Sequence, residues 1–241
     1  MLLKRILPIT FLLTLIFNYS NGQTKAIAEI IYEQKIAYQD DSGSPKRYSI
    51  SESLLLLSKS SSLYSKSSAK TIVKDVDNGS VSKAALNKSL ERNLSAFQSR
   101  AGNLMIKDYN SGFLTEQRIT QEEEVFLIRD TLKAINWTIQ DNKKIIAGYE
   151  CQKALGTFRG RNYEAWFTTA IPLSSGPWKL NGLPGLILEA TDDKNEVSFS
   201  LLSIHIPPKS NTTFPDKLTG VEISKKAYTE KNNLAAEKRL S

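Results

Sequence analysis

The sequence predicts an α+β protein made mostly of antiparallel strands: a curved sheet or half-barrel, one amphipathic helix packed on it, and a marginal helix at the C-terminus. Three observations predict this. Short runs of alternating apolar and polar residues recur between turn-forming clusters from residue 26 to residue 206. Only the stretch from Ser82 to Ala101 changes to helical spacing. The run from Glu196 to Ile206 puts Val197, Phe199 and Leu201 on one parity and Leu202, Ile204 and Ile206 on the other, the mark of a bulge or bend in a curling sheet.

Taken in order, Ala26 to Tyr38 alternates as a long first strand, Asp40 to Pro45 is a turn by composition, and Tyr48 to Leu57 returns as its partner. Leu63 and Tyr64 mark a short hairpin strand in a serine-rich stretch, where hydroxyls compete with the ladder for backbone groups. Lys70 to Ser80 reads as a connection. Leu86, Leu90, Leu94, Phe97 and Ala101 then form one apolar stripe of a helix that stops at Gly102 and covers one face of the sheet. Leu104–Tyr109 and Phe113–Ile119 flank the turn Asn110-Ser111-Gly112, and Glu122-Glu123-Glu124 lead as a solvated edge into Val125–Ile128. Further hairpins are expected about Asp141-Asn142-Lys143, Arg159-Gly160-Arg161 and Asp192 to Asn195. From Glu222 onward helix formers surround a ragged stripe of Ile223, Ala227 and Leu234.

The N-terminus carries Lys4 and Arg5, an apolar run of 12 residues from Ile6 to Phe17, and Ser20-Asn21-Gly22. The run is shorter than the ~20 residues a spanning helix needs, so it reads as a secretory signal peptide over residues 1–22. The mature chain, 23–241, is then expected as a single β-rich domain of 219 residues, periplasmic or secreted, with no further transmembrane segment. Losing Lys4 and Arg5 lowers the net charge from +7 to +5. The remaining basic residues are interleaved with acids, which argues against a nucleic-acid partner. Cys151 is the only cysteine and His205 the only histidine, so neither an intrachain disulfide nor a metal site from soft ligands is expected, and no cofactor motif appears.

The densest stretch is Gly176 to Glu189, G-P-W-K-L-N-G-L-P-G-L-I-L-E, a glycine- and proline-rich loop that delivers an apolar strand. Gly182, Pro184 and Gly185 are its structural turn residues; Pro184 and Gly185 suit the central positions of a type II turn, with positive φ at the glycine. Trp178, Leu180 and Leu183 either plug the sheet or form a contact surface. Arg161 at its hairpin tip, near Tyr163 and Trp166, either solvates its turn or clamps an anion. The binding candidates are accordingly Trp178, Leu180, Leu183, Arg161 and Trp166, and no catalytic residue is assigned.

Gly182 to Ile187 spells G-L-P-G-L-I, and upstream stand G-Y-E-C-Q-K-A at 148–154, G-R-N-Y-E-A-W-F at 160–167 and G-P-W-K-L at 176–180. In these motifs, spread over Trp137 to Glu189, the chain resembles the GLPGLI family of exported bacterial proteins. The resemblance implies export and assigns no activity. The expected function is an exported, non-enzymatic binding or carrier module of the cell envelope for an apolar ligand or a partner protein. The alternatives are an envelope hydrolase using glutamates near the 176–185 loop, from among Glu150, Glu164 and Glu189, and a structural component of an envelope assembly.

Overall fold

The computed structural model describes residues 22–38, 47–66, 71–73, 103–120, 122–209 and 211–240. The strands are β1 (Gln23–Lys25), β2 (Ala28–Tyr38), β3 (Arg47–Leu57), β4 (Ser61–Lys66), β5 (Thr71–Val73), β6 (Leu104–Asp108), β7 (Phe113–Ile119), β8 (Val125–Thr131), β9 (Trp137–Ile146), β10 (Tyr149–Phe158), β11 (Arg161–Thr168), β12 (Leu186–Asp192), β13 (Val197–His205), β14 (Thr213–Pro215) and β15 (Val221–Glu222), followed by the helix α1 (Lys225–Leu240). Twelve strands lie side by side in the order β15-β8-β7-β6-β4-β3-β2-β13-β12-β11-β10-β9, with β5 also on β3. Every pairing is antiparallel except β15 on β8. The sheet is open, with β15 and β9 at its edges, so the curved-sheet expectation holds and the strands do not close into a barrel. The signal peptide and the amphipathic helix expected over 82–101 lie outside the described residues.

Alternation explains the core. On β3, Leu55 and Leu57 enter a cluster with Ala28, Ile30, Tyr32, Tyr64 and Met105, whereas Leu54 and Leu56 enter a second cluster on the opposite face with Ile31, Leu63, Leu104 and Ile106. The second face is capped by Phe214 of the small β1–β14 sheet. The first face is covered by the chain between β11 and β12.

The hairpins turn where glycine allows it. Arg159 and Gly160 take φ of 50° and 78°, and Ala147 and Gly148 take 48° and 85°, each pair filling a two-residue loop as a type I′ turn requires. This second turn corrects the one expected at Asp141-Asn142-Lys143: β9 runs straight through those residues. Gln140, Asp141 and Asn142 together oppose Lys153, a bulge that uses the polar residues without reversing the chain, and Gln152 Nε2 donates to Gln140 O at 2.8 Å. The parity switch in β13 is a register shift between Leu201 and Ser203. The helix α1 starts at Ser224, whose Oγ accepts from Ala227 N. It touches the sheet through Tyr228, edge-on to Phe126 at 6.1 Å, and an ion pair from Lys231 to Glu124, while Leu234 is exposed.

Candidate functional site

The segment between β11 and β12, residues 169–185, folds back over the first face of the sheet. Ile187 N donates to Ser175 O at 2.9 Å, Leu186 N to Ile171 O at 3.1 Å, and Ser175 bridges Asn181, so the loop makes its own small ladder on the strand that leaves it. Ile171, Leu180 and Leu183 are buried in the core, the two leucines at 0% and 1% exposure. A surface contact does not reach these two, and their part of the loop is a plug. Leu180 and Leu183 cluster with Tyr163, Phe167, Ile187 and Phe199, and Ile171 with Leu186 and Leu188.

Polar groups hold the plug in place. Lys107, on the same parity of β6 as Met105, has no exposed surface, and its Nζ donates to Gly176 O and Leu180 O at 3.0 Å each. Burial pushes its ammonium down to about 7. Lys179 is buried too and pairs with Glu116 of β7, which also accepts from Arg118 at 2.6 Å. Burial pushes the Glu116 carboxyl up, but the two cations more than offset it and leave it below its ordinary range. Tyr109 donates to Ser175 Oγ at 2.7 Å, Trp137 Nε1 to Asn181 O at 2.8 Å, and Tyr32 to Ile187 O at 2.7 Å. The buried loop carbonyls of Gly176, Leu180 and Asn181 thus each find a donor.

Gly185 is needed for a different reason than its place after Pro184 suggested. Gly182 has φ of 95°, but Gly185 is not among the residues with positive φ, which rules out the type II turn. A Cβ on Gly185 would lie 2.0 Å from Thr168 O and 2.7 Å from Thr168 C, so only glycine lets the two backbones pass.

Trp178 is the exception to burial. Leu180 N donates to Pro177 O at 3.0 Å, closing a four-residue turn with Trp178 at its second position and φ of 50°. Positive φ at that position belongs to primed turns, where glycine, asparagine and aspartate dominate. The ring is half-buried, edge-on to Phe158 at 5.7 Å and 71°, with Arg159 at 6.0 Å and Lys179 at 5.9 Å from its centre. Arg159 is itself tied to Asp130 at 3.1 Å. The result is an aromatic and cationic rim at the outer edge of the plug.

The other binding candidates lie apart from this rim and are occupied. Arg161 pairs with the fully buried carboxylate of Asp192 and with Glu196 at 2.6 Å, and Asp192 Oδ1 accepts from the amides of Glu196 and Val197, so the arginine fastens the β12–β13 turn. Trp166 donates to Glu164 at 2.9 Å and lies under Lys144 at 4.4 Å. Glu150, Glu164 and Glu189 are each paired with a different lysine, Lys143, Lys153 and Lys144. Carboxylates neutralised one by one do not share a proton as an acid–base pair does. Cys151 is buried, its thiol pushed up to about 11 by burial and then by Glu189. Among the described residues no group of three His, Cys, Asp or Glu is placed to hold a metal ion, and no helix is long and apolar enough to cross a membrane.

Reasoning from sequence missed Lys107, Glu116, Tyr109 and Arg159. A lysine in the alternation of a core strand, L-M-I-K-D, is the one available signal: the parity that buries Met105 also buries Lys107.

A family model described as a protein of unknown function (Porph_ging) matches residues 156–189, which include the G-L-P-G-L-I hexapeptide. Comparison with curated proteins finds no match. Among solved structures, PNGF-II in the P21 space group is similar with a TM-score of 0.50 and 13% identity, covering 84% of this chain and 32% of that one. PNGF-II in the C2 space group gives 0.52 and 12%, covering 86% of this chain and again 32% of that one. The chain spans about a third of the length of the structures it matches. At such identity the likeness concerns the fold.

Proposed function

We propose that this chain is an exported member of the GLPGLI family, a single-domain, non-enzymatic binding module of the cell envelope, and that it meets a partner protein at the Trp178 rim. The observation that carries the reading is Trp178 itself. A bulky side chain at positive φ costs roughly 1–3 kcal/mol and persists only where the surroundings over-determine it, a pattern found at contact and ligand sites. The lysine clamp and the turn hydrogen bond supply that over-determination, and they leave a partly exposed aromatic ring, packed inward on the core, beside a guanidinium, the pair of side chains most enriched at interface hot spots. The separately neutralised glutamates and the inert thiol supply no catalytic constellation for the hydrolase alternative. The plug fills the face on which a carrier would seat an apolar ligand, which favours a protein partner. That the same architecture occupies about a third of the longer PNGF-II chain supports reading it as a module.

The test places a photo-crosslinking amino acid at exposed Arg159 and, as a control, at exposed Glu150, in cells that export the protein. The expected result is a discrete adduct from position 159 that Trp178→Ala abolishes. Equal adducts from both positions, or adducts indifferent to Trp178, contradict the reading.

A further inference from the structure

The buried amine of Lys107 and the two carbonyls it meets have a consequence for when the Trp178 turn is docked. Gly176 and Leu180 lie two residues before and two residues after Trp178, so one nitrogen joins both ends of the turn to β6. A neutral amine has two N–H donors for these two acceptors. An ammonium brings a third donor and a full charge into a site with no exposed surface. We propose that Lys107 is a proton-controlled rivet: the deprotonated amine holds the Trp178 turn on the sheet, and protonation favours withdrawal of the lysine to water and release of the turn. As regulation of the contact rim this rests on the preceding reading, but the opening is measured without any partner, so the two fail separately.

The neighbours leave this proton to Lys107. On β7, Glu116 is saturated by Lys179 and Arg118 and held below its ordinary range. On β2, on β4 and just past the end of β6, the hydroxyls of Tyr32, Tyr64 and Tyr109 are pushed up by burial and stay neutral, and Asp108 is held down by Ser111. From the loop only Lys179 remains, lowered by burial and paired with Glu116. Burial brings Lys107 to about 7 in the docked state, against 10.5 when it is free in water. The sign follows from linkage. The released state binds the extra proton between those two values, so docking weakens as pH falls from 10.5 toward 7 and is weakest below it.

The experiment is amide hydrogen exchange on the mature chain at pH 9, 8, 7 and 6, with each rate divided by its intrinsic value to give an opening constant. For the amides of Leu180 and Ile187 the constant is expected to rise about tenfold from pH 9 to pH 8, roughly 50-fold from pH 9 to pH 7, and to level off at about 90-fold by pH 6. Amides of β2 and β3 serve as reference and should not follow. Lys107→Met is expected to remove the pH dependence, and Lys107→Arg to keep the turn released at every pH. Should either variant fail to fold, the wild-type profile decides by itself. A pH-independent opening constant overturns the proposal, as does a rise shared equally by β2 and β3. So does a dependence that survives Lys107→Met and vanishes in Lys179→Met.

Discussion

Replacing Gly185 with alanine asks whether glycine stands there for backbone conformation or for space. The added Cβ would sit 2.0 Å from Thr168 O, 2.7 Å from Thr168 C and 3.1 Å from Thr169 Cα, all backbone atoms of the strand end it crosses. None is the tip of a flexible side chain, so β11 and the loop must separate by an ångström or more. That loosens the bonds from Leu186 to Ile171 and from Ile187 to Ser175. Overpacking of this kind costs about 3 kcal/mol or somewhat more. Gly182→Ala is the control: its φ of 95° is unfavourable to alanine, but nothing lies nearer than 3.7 Å, so about 1–2 kcal/mol is expected. At roughly 2–4 °C per kcal/mol for a chain of this size, Gly185→Ala should melt about 6–12 °C below wild type, and Gly182→Ala about a third to two-thirds of that. Gly185→Asn separates the explanations, because asparagine tolerates positive φ and adds bulk. The close-approach argument is refuted if Gly185→Asn melts above Gly185→Ala, or if Gly185→Ala melts within about 2 °C of wild type.

Three further outcomes follow from the same structure. Cys151, buried and with its thiol pushed up to about 11, should react with a disulfide reagent at pH 8 at least about a hundredfold more slowly than free cysteine; fast labelling of folded protein contradicts its inert assignment. Asp192→Asn removes the charge that meets Arg161 and the two turn amides and should cost about 2–4 kcal/mol in denaturant melts. Glu150→Gln, at an exposed pair with Lys143, should melt close to wild type, and equal losses for the two variants would undo the distinction drawn between fastening and surface pairs.

Much of the sheet was legible because local rules set it. Alternation places β6, β7 and β13 to within a few residues, since each is bounded by a turn whose chemistry is in the sequence, such as Asp108 accepting from the amides of Asn110 and Ser111 ahead of Gly112. The β9–β10 turn was misplaced because Asp141 and Asn142 are as suited to an edge-strand bulge as to a reversal, and only the pairing with Lys153 separates the two. The pairing of β2 with β13 carries no local signal: it joins segments more than 150 residues apart, and no turn specifies it. At the site, the apolar character of Leu180 and Leu183 was visible, but which way they face is set by Lys107, Glu116 and Trp137 from other strands. The conformation of Gly185 was misread because composition reports what a glycine permits, whereas the requirement here comes from Thr168 across the sheet.

The central claim, that the loop is a plug whose exposed edge at Trp178 serves contact, is tested most directly by melting Trp178→Ala beside Leu180→Ala while scoring the position-159 adduct per folded molecule. Leu180 has no exposed surface, so its truncation should cost about 3–5 kcal/mol. Trp178 is half-buried and keeps its strained φ as alanine, so about 1–2 kcal/mol is expected, together with loss of the adduct. A Trp178→Ala variant that melts as low as Leu180→Ala and still forms the adduct would make the tryptophan part of the plug and contradict the account.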